Sequence, residues 1–278
     1  MNVDLVFETS WEVCNKVGGI HTVISTKALN FVNELGDNYI LIGPDVWREE
    51  VTNPEFIPDD TLFTEWKALA ASEGLGVRTG RWNIAGTPIV FLVDFTPFFG
   101  QQNEIFAQFW ETYKLDSITG QWDYVEPALF GYAVGKIIES FTSFYRDKPN
   151  IIAQFHEWMT GTGILYLEKY APWIATVFTT HATVLGRCLA GNNRPLYGKM
   201  KEFNPVQVSR EFNVVAKQSL EKLTASVADV FTTVSEITSR ECAFFLGKEV
   251  DIVTPNGFED SFVPSRETFA DKRTEARN

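Results

Sequence analysis

Short apolar runs alternate along the chain with longer stretches in which apolar positions recur every three or four residues. Val3 to Phe7, Tyr39 to Gly43, Ile151 to Phe155, Ile174 to Thr179, Val230 to Val234 and Val250 to Thr254 read as strands. Val77 to Trp82 and Thr87 to Thr96 read as two further strands, paired with each other. Ile20, Val23, Ile24, Ala28, Phe31 and Leu35 keep helical spacing, as do Phe130, Val134, Ile137, Ile138 and Phe141 in a helix over 127–145, with Pro127 at its first position. Further helices are expected over 160–170, 210–228 and 236–246, and a helix or long loop over 101–121. Repeated strand–helix alternation predicts an α/β fold with a doubly wound parallel sheet.

In such sheets ligands bind at the carboxyl ends of the strands, and the unusual polar residues gather there. The first strand runs into Lys16-Val17-Gly18-Gly19-Ile20 and then a helix. Two adjacent glycines allow close backbone approach, and a helix N-terminus favours an anion such as phosphate. The same pair also suits a plain tight connection, and it matches neither the dinucleotide nor the P-loop fingerprint. His156 and His181 each follow a predicted strand, and Asn256-Gly257 follows the last one. Arg187, close to His181, suits a bidentate phosphate contact or a salt bridge. The third histidine, His21, falls in the first helix and is expected to pack or face solvent. Glu8 and Glu12 flank the glycine loop, where bonds to loop N–H groups suit them better than paired carboxylate catalysis. The tryptophans could stack on sugars, although core packing explains most of them equally well.

Composition narrows the classes. Twenty-four basic against 36 acidic residues give a net charge of −12, a poor basis for binding nucleic acid or an anionic membrane. A 45% hydrophobic content suits a large buried core. Three widely spaced cysteines, Cys14, Cys188 and Cys242, suit a reduced cytoplasmic protein without structural disulfides or a zinc site. The N-terminal residues lack a basic signal-peptide region, and no apolar run approaches the roughly 20 residues of a membrane span.

Seven blocks carry a family likeness. Glu12 to Ile20, Gly36 to Tyr39 with Gly43-Pro44, Gly80-Arg81-Trp82, Phe155-His156-Glu157-Trp158, Phe178 to Arg187, Phe231 to Ser235 and Asp251 to Gly257 resemble glycogen synthases of the eukaryotic type, in that family's order and at about its spacing. The resemblance implies a Rossmann-like N-terminal domain of a GT-B glycosyltransferase. That domain would span 1–258, with 259–278 a polar tail leading toward a C-terminal domain whose sequence blocks are not matched here; the polar composition after Pro264 is itself expected to fray. It implies retaining transfer of glucose from UDP-glucose (or ADP-glucose) to the 4-OH of an α-1,4-glucan, without metal or other cofactor. Carried over, His156 and His181 are the catalytic candidates lining the donor glucose. Lys16, Gly18, Gly19, Arg187, Asn256 and Gly257 are the donor-binding candidates. The segment 183–204 departs from the family pattern. Because the second domain's blocks are unmatched, the chain alone is expected to be inactive. A glucan- or partner-binding module without catalysis is the alternative, and a homo-oligomer is left open.

Overall fold

A computed structural model describes residues 3–47, 53–257, 264–275 and 277. In chain order the elements are β1 (Leu5–Thr9), α1 (Gly19–Leu35), β2 (Tyr39–Pro44), β3 (Phe56–Pro58), α2 (Thr64–Ser72), β4 (Gly76–Trp82), β5 (Ile89–Asp94), α3 (Gln102–Tyr113) and α4 (Trp122–Phe144). After the return through α4 come β6 (Ile151–His156), α5 (Gly161–Tyr170), β7 (Ala175–Thr180), α6 (Val184–Gly191), α7 (Leu196–Lys199), α8 (Pro205–Glu211), α9 (Val215–Val227), β8 (Val230–Thr233), α10 (Glu236–Glu241), β9 (Ile252–Val253) and α11 (Phe269–Glu275).

Among the described residues the strands form one sheet in the order β3-β4-β5-β2-β1-β6-β7-β8-β9. β4 alone runs opposite to the other strands; the β4–β5 ladder is the pair read from the sequence. The chain steps from β1 out to β2, passes to the edge strand β3 and works back inward through β4 and β5, then crosses back through α4 and builds outward from β6 on the other side. Between β1 and β6 lies the topological switch point, where a crevice opens above the strand ends.

Every residue of β1 and β2 is buried, as expected of strands covered on both faces. Leu5, Phe7, Ile40, Ile42 and Phe91 point into the larger core with α4, while Val6, Tyr39, Leu41, Val90 and Leu92 point to the α1 side. α4 is buried on nearly all sides and touches α5 closely. A Cβ at Gly131 would lie 2.3 Å from Thr162 Oγ1, and one at Gly135 would lie 2.7 Å from Tyr166 Cβ. Phe141 of α4 packs edge-on against Phe7 and Trp66; full burial of one such side chain contributes about 1.5–3 kcal/mol.

Some expectations need correcting. α4 begins at Trp122, so Pro127 stands inside the helix and not at its first position. The N–H groups of Tyr124 and Val125 both bond Gln121 O, which nucleates the helix earlier. The single helix expected over 210–228 is two, because Asn213 adopts a left-handed conformation (φ 55°) that ends α8 before α9 starts. The helix expected over 236–246 continues past Glu241 as a wider π turn through Leu246. The tail expected to fray contains the exposed helix α11, while 258–263 lie outside the described residues. Trp66 and Trp82 are core, whereas Trp110 and Trp122 are half-exposed. Among the described residues no helix is long and apolar enough to cross a membrane.

Candidate functional site

A cavity of about 310 Å³ opens at the switch point, at the lower end of the roughly 300–1,000 Å³ usual for small-molecule sites. One wall is the exposed flank of α1, with Val23, Thr26, Lys27 and Asn30. The floor is Gln154 and His156 at the end of β6 and Thr179 and His181 at the end of β7. Thr254, Pro255, Asn256 and Gly257, after β9, close the far side. The structure thus brings His156, His181, Asn256 and Gly257 around one space. Lys16, Gly18, Gly19 and Arg187 do not line it.

Beneath the cavity, five polar side chains from different elements, Lys27, Tyr39, Glu8, His156 and His181, form a connected network. Glu8, whose side chain is 1% exposed, accepts from Lys27 Nζ at 2.6 Å and from His156 Nε2 at 2.6 Å through Oε1, and from the Tyr39 hydroxyl through Oε2. His156 Nδ1 in turn lies 2.9 Å from His181 Nε2. Burial pushes the Glu8 carboxyl up, but Lys27 and the His156 bond outweigh it and hold Glu8 well below the usual carboxylate range. Burial holds His156 down against the pull of Glu8. It lowers His181 to about 3, aided by the neighbouring His156 and Lys27. Both rings are therefore neutral at neutral pH.

The loop after β7 is fixed from below by three buried carboxyls. Glu157, itself at positive φ (64°), accepts from the His181 and Ala182 N–H groups at 2.9 and 3.3 Å and from the Arg187 guanidinium at 3.2 Å. Glu221 accepts from Val184 N–H at 3.0 Å and from the Thr180 hydroxyl at 3.2 Å. Glu241 accepts from the Thr183 hydroxyl at 2.8 Å. Burial raises Glu157, and burial together with the Glu157 charge pushes Glu221 up to about 8.

The glycine loop has a different geometry from the cavity floor. Glu12 Oε2 accepts from the N–H groups of Gly18 (2.8 Å) and His21 (2.9 Å), so a carboxylate of the chain itself sits at the start of α1. A Cβ at Gly18 would lie 3.0 Å from Glu12 Oε1, whereas one at Gly19 would meet nothing within 4 Å. Gly18 packs tightly against the Glu12 carboxylate, so a Cβ there would make that side chain shift by a few tenths of an ångström; Gly19 leaves its outer side open for a ligand. Lys16 is exposed at this rim, and Arg187 keeps 58% of its side chain exposed beside Glu157. His21 is a packing residue: it is buried, edge-on to Trp82, with Nε2 within 3.0 Å of both Glu55 oxygens.

Lys27 is a site residue that sequence reasoning missed. Its signal was present, because position 27 falls on the same helical stripe as Ile20, Val23, Ile24 and Phe31, where a charge needs a buried partner. Glu157 stood out only as part of a sequence block, and Glu221 and Glu241 did not stand out at all.

A family model described as glycogen synthase matches residues 8–268. The chain is 37% identical over 254 residues to the liver glycogen [starch] synthase of Rattus norvegicus, a match that covers 91% of this chain and 36% of that protein. It is 36% identical over 259 residues to the glycogen [starch] synthase of Caenorhabditis elegans, covering 91% and 38%. The chain thus spans little more than a third of the length of these relatives. A solved structure of the catalytic domain of starch synthase IV from Arabidopsis thaliana, bound to ADP and acarbose, superposes with a TM-score of 0.50 over 96% of this chain and 54% of that one, at 15% identity. That likeness shows the fold alone, the Rossmann-like sheet of GT-B glycosyltransferases. With the family model matched across nearly the whole described sheet, the chain belongs to the glycogen synthase family.

Proposed function

We propose that this chain forms the N-terminal, acceptor-side half of a retaining glycogen synthase, with 1–258 as its Rossmann-like domain and 259–278 leading toward a second domain. The donor is UDP-glucose or ADP-glucose and the acceptor is the 4-OH of an α-1,4-glucan. The observation that carries this reading is the cavity at the switch point, where His156, His181 and Asn256-Gly257 meet the flank of α1 in a chain of this family.

In the reaction, the bond from glucose C1 to the diphosphate oxygen breaks and a bond from C1 to the acceptor O4 forms with retained configuration. The nucleoside diphosphate leaves, and the proton of the 4-OH passes to it or to solvent. Charge grows on the diphosphate and positive character on C1, so groups placed for that state lower the barrier. His156 and His181 line the donor glucose. Lys16 and the open side of Gly19 face the diphosphate, with Gly18 holding the turn, and Arg187, more than half exposed beside Glu157, adds a further cation. Asn256 and Gly257 border the nucleotide. The net charge of −12 makes these local groups the means of holding an anion. Three free thiols support a reducing, cytoplasmic setting.

The test is binding and turnover by the purified chain. Calorimetry with UDP-glucose and ADP-glucose is expected to detect weak binding that falls at least about tenfold on His181→Ala, a loss of about 1.4 kcal/mol. Labelled glucose should not enter glycogen. Absence of binding to either nucleotide sugar, binding indifferent to His156 and His181, or sustained glucan elongation by the chain alone would overturn the reading.

A further inference from the structure

We propose that Glu8 is a positioning residue: the chain Lys27–Glu8–His156–His181 locks both imidazoles as Nε2–H tautomers. His181 Nδ1 is then left as a bare acceptor at the cavity, suited to a ligand hydroxyl and not to a phosphate oxygen. The assignment follows from donor and acceptor arithmetic. A buried carboxylate can only accept. Glu8 Oε1 stands 2.6 Å from His156 Nε2, so that nitrogen carries the proton and donates.

A neutral imidazole has one proton, so His156 Nδ1 is bare and must accept from its neighbour. Its neighbour is His181 Nε2, at 2.9 Å. His181 therefore also carries its proton on Nε2, and its Nδ1 has a lone pair. Lys27 fixes the direction of the chain from the other end. Its ammonium, 2.6 Å from the same Glu8 oxygen, keeps that oxygen an ionised acceptor.

The consequence is chemical selectivity built two residues away from the ligand. An acceptor nitrogen meets a sugar O–H favourably and leaves a phosphate oxygen unpaired. The inference rests on the reading of the cavity as a sugar site only for the identity of the hydroxyl; the tautomers stand on the protein alone.

The chain has three histidines, so ¹⁵N labelling of histidine gives three rings to resolve. His21 is assigned by its loss in His21→Gln. At neutral pH, His156 and His181 are expected to show protonated Nε2 and bare Nδ1. In Glu8→Leu/Lys27→Met, which replaces the ion pair with apolar groups, His156 is expected to shift toward Nδ1–H or a mixture, and His181 with it. Glu8→Gln, whose amide oxygen can still face Lys27 and His156, is expected to keep the native tautomers, and amide spectra report whether each variant is folded. His156 protonated on Nδ1 in the unaltered chain, or both rings unchanged in the folded double variant, would overturn the proposal. Titration then separates the two readings. A nucleotide sugar, but not the nucleotide alone, should shift His181 Nδ1. Native tautomers without that shift would sink the sugar-site reading and leave the tautomer lock standing.

Discussion

Glu8 and His156 lie 148 positions apart in sequence and 2.6 Å apart in space, because β1 and β6 are adjacent parallel strands at the switch point of the sheet. The carboxylate is compensated by Lys27, whose side chain is 27% exposed. Removing one partner of a buried pair strands the other charge. Lys27→Met is expected to cost about 3 kcal/mol at neutral pH, and Glu8→Leu/Lys27→Met distinctly less than the sum of its parts. Denaturant titration of the four members of the cycle checks this. The sign with pH follows from the depressed Glu8 value: its contribution is complete above the unfolded carboxylate pKa of about 4.3 and is lost progressively as pH falls below it. The Lys27→Met deficit should therefore shrink in acid. A deficit that is flat down to acid pH would remove Glu8 as its cause.

Two glycines separate folding from binding. A Cβ at Gly186 would fall 2.0 Å from Glu241 Oε2 and 2.7 Å from Thr183 Oγ1. Gly186→Ala is thus expected to cost about 1–3 kcal/mol by overpacking and to loosen the loop that carries His181. At Gly19 an added Cβ meets nothing. Gly19→Ala should leave stability within about 0.5 kcal/mol of the parent yet weaken nucleotide-sugar binding if the diphosphate approaches there. Thermal melts beside ligand titrations decide it. Equal binding by Gly19→Ala and the parent would remove this loop from the site.

Periodicity is enough to place the strands and the main helices, because apolar spacing reports burial directly. The strand-end positions of His156, His181 and Asn256-Gly257 follow from the same pattern. What is not legible is pairing. In the sequence both Glu8 and Glu12 suit loop N–H groups; Glu12 takes that role, whereas Glu8 turns to Lys27 and His156. Which carboxylate receives which donor depends on sheet register and on α1 lying across β1, and neither is a local property. The same holds for Glu221 and Glu241, which are brought under the loop after β7 by α9 and α10 from more than thirty residues downstream. Pro127 is a local signal outweighed by an earlier start of its helix, whereas Asn213 is a local turn signal hidden by apolar periodicity that runs on through it.

The cysteines should differ sharply in reactivity. Cys14 and Cys242 are buried, and burial pushes both thiols far up, with Glu55 adding to it for Cys14 and Glu221 for Cys242. Cys188 is only partly buried, and its rise, from burial, is opposed by Lys217. Since the thiolate is the reactive form, an alkylating reagent at mild alkaline pH is expected to modify Cys188 first in the native chain. Cys14 and Cys242 should react only as the chain unfolds. Mass spectrometry of timed digests gives the order, and labelling of Cys242 ahead of Cys188 would contradict the burial argument.

Glu221 should make the loop after β7 sensitive to alkali. Its folded pKa of about 8, raised by burial and by Glu157, stands above the unfolded value of about 4.3. For a carboxyl moved in that direction the folded state holds the proton more tightly. Its contribution is complete below about pH 4.3 and is lost as pH rises through the interval up to about 8. Over that interval the loss amounts to a few kcal/mol, on the order of 1.4 for each pH unit between the two values. An amide reproduces the protonated acid. Glu221→Gln can accept from Val184 N–H, as Glu221 does at 3.0 Å, and donate toward Thr180 Oγ1, which lies 3.2 Å away. The variant is therefore expected to match the parent near pH 5 and to exceed it in stability by a few kcal/mol near pH 8.5, with a flatter profile between. Denaturation midpoints across that range test it. Parallel profiles for the two proteins would mean that Glu221 is ionised in the folded chain, and that the carboxylates under the His181 loop share their charge in some other way.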